Sequence, residues 1–567
     1  MMRANVTTTL AVLAGIASAA SGALVAQEWT TSGVDAQRTA WVRTDERLTR
    51  QAVADGGLAF LWKQQFDNRS RGLRSLTMPV LQDRLIGYRG FKALAFVGGS
   101  SDRVFAIDTD LNRPYWMVQL NYAAATGGQP PATPTCPGGL TATPARRTSL
   151  VQPAFGARGG GRGRSTSAVG EPGRGAAILS QQAARRGGAA TPPPAAPTRG
   201  GGARGPVPAV PFGGVDPVYV VGSDGFLRVL RASDGTEAEP GTPFLPPGAA
   251  ASALIFVDGA IYTTTSNGCG VSPNGVWTID TTAPDRPVAR WTTGGPNVAG
   301  AAGLAFGTDG TVFVAVGSEA PAAGSSAATP SASRYADAVV ALDGSTLTVK
   351  DWFQAPGARF NTSPIVFRHQ NRDLVAVAGD DGRLYLLDGA SLGGADHRTP
   401  LHVTPAYSDA GAGGSLATWE SQGTRWILAP AVGAPRQGLA FAPNGAAPAG
   451  RVVSFKLATT GERLALEPAW ASRNLPAPLG PIVVNGVVFA AASGEYRGAP
   501  VTTAGEHARR SGRAVLYALD ADTGREMWNS RTAITSFAQG GLVAGAGQVY
   551  LVTYDNTLYA FGIPMEH

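Results

Sequence analysis

Residues 513–528 read RAVLYALDADTGREMW. Ala514, Leu516 and Ala518 alternate with Val515, Tyr517 and Leu519, the period of two expected of a half-buried strand. Asp520-Ala-Asp-Thr-Gly524 then supplies turn chemistry, and a second short strand ends in Trp528. The stretch is predicted to be a β-hairpin whose Trp docks on a neighbour. Weaker copies end in Trp116 (VFAIDTDLNRPYW), Trp291 (VWTIDTTAPDRPVARW), Trp352 (VVALDGSTLTVKDW) and Trp470 (RVVSFKLATTGERLALEPAW). Trp352 follows Trp291 by 61 residues, Trp470 follows Trp352 by 118, and Trp528 follows Trp470 by 58. The period is therefore about sixty, with one Trp skipped.

A repeat of this length, made of short strands and Gly-rich turns, implies a radial array, because one four-stranded unit cannot bury both its faces alone. The composition suits many buried strands joined by tight turns: 75 of 567 residues are Gly, 44% are hydrophobic and only 15% are charged. Counting strand pairs gives an all-β chain, an eight-bladed β-propeller of four-stranded antiparallel blades. Seven blades fill 77–528, and the last unit, 540–561, has only three strands. Residues 58–66 alternate correctly and carry Trp62 at the docking position, so this N-terminal strand is expected to close the ring. Thr49 is expected to cap a short helix ahead of it that stops at Gly56-Gly57.

The domain reading is a signal peptide over 1–26, an entry segment over 27–57, the propeller over 58–567, and an insertion over 145–215 within blade two. Residues 1–26 start with Arg3, run through a weakly apolar stretch and continue in small residues to Ala26, the pattern of an export leader. No cysteine stands at the cleavage point to take a lipid anchor, and no transmembrane segment is expected in the mature chain. The insertion is rich in Gly, Pro, Ala and Arg and short of large apolar side chains, so it is expected to be disordered. It also holds the charge: ten Arg and one acid lie between Arg146 and Arg204, a balance of +9 against +7 for the whole chain, which leaves about −2 elsewhere. Such a tract can bind nucleic acid, but in an exported chain the expectation is no nucleic-acid partner and an insertion the fold tolerates. Cys136 and Cys269 fall on connections that leave the same face of adjacent blades, and an exported compartment permits oxidation, so a disulfide is expected in preference to two buried thiols. Five scattered His and no Cys/His spacing argue against a metal site built on them, and the lack of C-x-x-C-H excludes an attached c-type haem.

The 513–528 stretch resembles the A-x-D-x-x-T-G-x-x-x-W repeat of pyrroloquinoline-quinone (PQQ) type propellers, a family that includes quinoprotein dehydrogenases and an outer-membrane assembly propeller lipoprotein. Residues 28–62 resemble the dehydrogenase entry W-x-x-x-G-x-D-x-x-R through Trp29, Gly33, Asp35 and Arg38. In those enzymes PQQ covers the channel mouth on the top face with a calcium ion held by a Glu and an Asn. A catalytic Asp stands beside it, and the quinone lies between a floor Trp and adjacent cysteines. Residues 262–277 resemble the family's Y-x-G-x-G-N-x-x-P-W stretch, which implies Asn267 as a calcium and cofactor ligand; Asp224 stands near the position of the Glu. The other parts depart from the pattern. There is no adjacent Cys pair, 248–254 read GAAASAL without a Trp, and 294–300 read GGPNVAG without an acid. No catalytic residue is assigned, because proton abstraction at a quinone needs a base.

Two functions follow from the resemblance. One is a non-catalytic exported scaffold of the cell envelope, periplasmic or secreted, that binds an envelope protein or a small ligand on its top face. The other is a PQQ-dependent dehydrogenase of alcohols or sugars, with calcium, whose site has diverged. The long connections 317–335, 431–450 and 493–511 lie on that top face and are candidate docking loops.

Overall fold

Asp520 shows how the repeat folds. Its carboxylate accepts from Thr523 N at 3.0 Å and Thr523 Oγ1 at 2.8 Å, and its carbonyl accepts from Gly524 N at 2.8 Å. Gly524 takes φ +72, and Trp470 of the preceding blade lies so close that a Cβ there would fall 2.2 Å from its ring. Only glycine meets both conditions. Trp470 is 1% exposed, and its Nε1 donates to Ala521 O at 2.9 Å. Trp116 repeats the arrangement on blade two, with Nε1 on Ala232 O at 2.9 Å and its ring over Gly235. The Asp-Thr-Gly turn of one blade is thus the seat for the Trp of the blade before it.

A computed structural model describes residues 28–87, 90–120, 133, 135–150, 216–318, 333–461, 463–498 and 503–564. These all belong to one unit, Ala23–Gln152 with Val215–His567. Eight small sheets, antiparallel apart from short additions, make an eight-bladed propeller. Blade one is Val80–Gly87, Gly90–Gly99, Arg103–Asp108 and Arg113–Gln119; blade seven contains Ile482–Val484, Val487–Ala492, Val515–Asp520 and Glu526–Asn529. The eighth sheet combines Val543–Gly545, Gln548–Thr553 and Thr557–Gly562 with Ala59–Gln65, whose residues pair antiparallel to Thr557–Gly562. The core lies in the seams between blades, where strands such as Leu384–Asp388 and Val312–Val316 bury nearly every side chain. The helices are short: Arg50–Ala54, capped by Thr49 Oγ1 accepting from Ala52 N, and Ala504–Arg510. No helix among the described residues is long and apolar enough to cross a membrane.

The entry segment occupies the axis of the ring. Its bonds meet the inner edge of every blade in order. Trp29 O accepts from Leu81 N in blade one (2.8 Å), and Thr30 O from Arg146 N at blade two (2.8 Å). Thr31 Oγ1 donates to Leu254 O at blade three (2.6 Å). Ala36 O accepts from Phe306 N in blade four, Gln37 O from Val366 N in blade five, Thr39 O from Thr418 N in blade six and Ala40 O from Val483 N in blade seven, all at 2.8–2.9 Å. Asp45 Oδ2 accepts from Gly547 N in blade eight at 2.9 Å. Trp41–Val42 also pairs parallel to blade seven's Ile482–Val484. Residues 28–48 are therefore a plug. Val34, Arg38 and Ala40 hold positive φ within it, a conformation kept only where surrounding bonds fix it.

The expected insertion begins later than the composition suggests. Ala145 is fully buried and bridges to Tyr219, Arg146 is 2% exposed, and Arg147–Thr148 pairs parallel to Ile255–Val257 of blade three. Leu150 O accepts from Gln37 Nε2 at 2.6 Å. Residues 145–150 thus belong to the propeller, because their side chains pack and their backbone pairs. The rest of the insertion, 151–215, and the expected leader, 1–26, lie outside the described residues.

Candidate functional site

In an antiparallel four-stranded blade, the turn between the second and third strands and the connection to the next blade leave on the same face. Asn267, Asp224, Cys136 and Cys269 all lie on such segments of blades two and three. Cys136 and Cys269 are joined by a disulfide with Cα atoms 5.5 Å apart. Around it the side-chain amides tie loops together. Asn267 Nδ2 donates to Thr135 O (3.1 Å), and its backbone N donates to Asn297 Oδ1 (2.7 Å). Asn274 Nδ2 donates to the same Asn297 Oδ1 (3.0 Å) and to Gly295 O (2.8 Å). Asn297 is the polar residue of the 294–300 stretch in which the resemblance places an acid; a neutral amide here is no proton acceptor for catalysis.

Asp224 is equally committed. Its two carboxylate oxygens meet Arg228 Nη1 (2.9 Å) and Nη2, both side chains being buried. Arg228 Nε also faces Glu237 Oε1 at 3.3 Å. Next to it Asp102, 1% exposed, accepts from Ser223 N at 3.0 Å and from Ser223 Oγ, joining the top turns of blades one and two. Burial pushes the Asp102 carboxyl up to about 6, against the pull of the Ser223 donors.

A calcium ion takes six to eight oxygen ligands, several of them ionised. Here Asp224 is neutralised by a guanidinium, and Asn267 brings one amide oxygen with amides for neighbours. Among the described residues no group of three or more His, Cys, Asp and Glu side chains is arranged to hold a metal. The 247–249 connection presses on the disulfide turn, where a Cβ on Gly270 would lie 2.0 Å from Pro247 O. The residues present do not fit a calcium–quinone centre at Asn267 and Asp224. The two are not bonded to each other.

A different polar cluster stands on the same face where blades seven, eight and one meet. Glu495 Oε1 accepts from Gln539 Nε2 at 3.0 Å and faces His507 Nε2 at 3.3 Å; its Oε2 lies 3.7 Å from Arg497. Arg497 reaches the blade-six entrance, 3.5 Å from the Cβ position of Gly413. Arg74, exposed on the connection into blade one, lies in the field of Glu495. In the sequence only the length of the 493–511 connection hints at this cluster, since the partners come from positions as distant as 74 and 539.

Residues 458–563 match the family model described as outer membrane protein assembly factor BamB. No curated protein sequence matches the chain. The quinohemoprotein alcohol dehydrogenase of Comamonas testosteroni is similar in structure, with 14% identity, a TM-score of 0.52, and coverage of 95% of this chain and 81% of that one. A quinohemoprotein alcohol dehydrogenase of Pseudomonas putida HK5 gives 14%, 0.53, 95% and 82%. A europium-containing methanol dehydrogenase gives 11%, 0.51, 94% and 98%. At these identities the likeness is one of fold.

Proposed function

We propose that this chain is an exported, non-catalytic PQQ-repeat propeller of the cell envelope that docks a partner protein or a small ligand on its top face. The observation that carries the reading is the state of Asp224: both its oxygens are held by Arg228, so the acid nearest the expected cofactor position is spent on structure. Asn267 and Asn297 likewise bond loop to loop. Support comes also from the leader-like 1–26 stretch and from the match of 458–563 to an assembly-factor family. The plug in the axis leaves the top-face connections as the place where a ligand can approach the mouth, and Glu495, Arg497, Gln539 and Arg74 are the groups there that a partner would meet. The test is equilibrium dialysis of the purified chain against PQQ and calcium, in which the scaffold reading expects no quinone to be retained. Retention would favour the diverged dehydrogenase.

A further inference from the structure

Trp116 and Trp470 seat their rings on a glycine of the following blade. Trp352, at the same place in its repeat, has its ring between two polar side chains. The His397 ring is stacked on it, with centroids 3.6 Å apart and planes 19° from parallel, and Arg334 Cζ lies 4.2 Å from the Trp352 centroid. Two groups this close to one ring cannot share a face, so Trp352 is sandwiched. His397 comes from the connection ahead of His402–Val403, the outer strand of blade five, and Arg334 from the connection ahead of Ala338–Leu342 in blade four. The sandwich therefore stands on the outer rim between these blades. Beside it a recess of about 400 Å³ opens to solvent, lined also by Arg398 and Asp396.

The imidazole is fixed on one side and open on the other. His397 O accepts from Gln354 N at 2.8 Å, which ties its turn to the outer strand of blade four. Its Nδ1 lies 3.0 Å from Trp352 O and 3.0 Å from Asp351 Oδ1. A carbonyl only accepts, so Nδ1 carries a proton. Asp351 is itself held, by Trp352 N on Oδ1 and Leu392 N on Oδ2, both at 2.8 Å. Nε2 is the atom left over: among the described residues it has no hydrogen-bond partner, and neither Arg334 nor Arg398 forms an ion pair. Asp396, the acid that lines the recess, spends its carboxylate on its own turn, accepting from Arg398 N at 2.9 Å, Thr399 N at 3.1 Å and Thr399 Oγ1 at 3.0 Å.

We propose that this recess binds a small oxyanion, a phosphate or a carboxylate, between Arg334, Arg398 and His397 Nε2. Guanidinium suits this class because its planar N–H donors match the oxygens of such anions. Nε2 donates to the anion when the imidazole is protonated, and when neutral it accepts from a phosphate oxygen that carries a proton. Two unpaired guanidinium groups outweigh the single charge of Asp396. Stacking on Trp352 holds Arg334 and His397 in place before the anion arrives, so less side-chain freedom is lost on binding. The proposal does not depend on the docking reading: a partner can bind the top face whether or not this rim site is filled.

The test is an NMR titration of the full chain labelled with carbon-13 at histidine Cε1, which gives one signal for each of its five His. His397→Gln identifies the His397 signal. Potassium phosphate and sodium acetate are each added against potassium chloride at matched pH and ionic strength. The His397 signal is expected to move and to saturate at about 1–10 mM anion, while the other four stay still. Saturation with both anions marks a general oxyanion site; saturation with one identifies its class. Arg334 and Arg398 are exposed, so the double variant Arg334→Gln/Arg398→Gln is expected to fold as the parent does and to raise the apparent Kd at least about tenfold. A His397 signal that does not move, that moves equally in chloride, or that saturates with an unchanged Kd in the double variant would overturn the proposal. If His397→Gln does not fold, equilibrium dialysis against labelled phosphate decides: one equivalent retained by the parent and lost in the double variant supports the site, and equal retention or none removes it.

Discussion

Trp62 Nε1 donates to Gln548 Oε1 at 3.0 Å, across 486 positions of chain. The Trp62 ring, 7% exposed, lies 6.0 Å from that of Tyr550, and Gln548 Nε2 passes the connection on to Thr109 O in blade one. One side chain thus links the N-terminal strand, the last blade and the first. Trp62→Ala is expected to cost about 3–5 kcal/mol, the range for a large buried side chain replaced by Ala. Because it acts where the two ends of the array meet, the loss should appear as a single unfolding transition displaced to lower denaturant. A variant that melts as high and as cooperatively as the parent would make Ala59–Gln65 an appendage.

Asp35 tests the plug. It is fully buried, accepts from Thr39 N (2.9 Å) and Thr39 Oγ1 (2.5 Å), and lies 3.6 Å from Arg43. It is also the charge opposing the fall of Arg38 to about 9. Asp35→Ala leaves the buried Arg38 guanidinium near the axis without its acid, so a loss of about 3–5 kcal/mol is expected. Chemical denaturation measures it; a loss under about 1 kcal/mol, the level of an exposed pair, would show that the plug is not held by this centre.

Asp102 supplies a pH dependence with a defined sign. Its folded pKa, about 6, lies above the ordinary value of 3.8, so the native state binds the proton more tightly than the unfolded chain. The stability from this group is full below about 4 and is lost as pH rises through about 6. Asp102→Asn keeps an acceptor for Ser223 N without the buried charge, and is expected to melt higher than the parent at neutral pH and to flatten the slope between. An unchanged slope in denaturation midpoints across this window would assign the pH dependence to other groups.

The blades were legible in the sequence because their information is local. Asp520, Thr523, Gly524 and Trp528 make a turn and a docking side chain within a few residues, and strand alternation repeats around them. The plug was not legible. The conformations of Val34, Arg38 and Ala40 follow from bonds to eight inner edges spread from Leu81 to Gly547, and no short-range pattern encodes them. The start of the insertion was misplaced for a similar reason: Ala145 and Arg146 look like part of a low-complexity tract, yet Tyr219, Glu28 and Asp216 fix them. At the candidate site the sequence singled out Asn267 and Asp224, but that Arg228, four residues on, closes over Asp224 is a matter of side-chain geometry, and the Glu495 cluster joins three blades.

The scaffold reading rests on Asp224 and Asn267 being used for structure, and reconstitution tests that claim most directly. The purified chain is incubated with PQQ and excess calcium, desalted, and its quinone absorbance read together with dye-linked oxidation of alcohols and sugars. The expected result is no retained quinone and no oxidation, in the parent and in Asn267→Ala alike. One equivalent of retained quinone that is lost in Asn267→Ala, with substrate oxidation in the parent, would contradict the reading and make the chain a quinoprotein dehydrogenase.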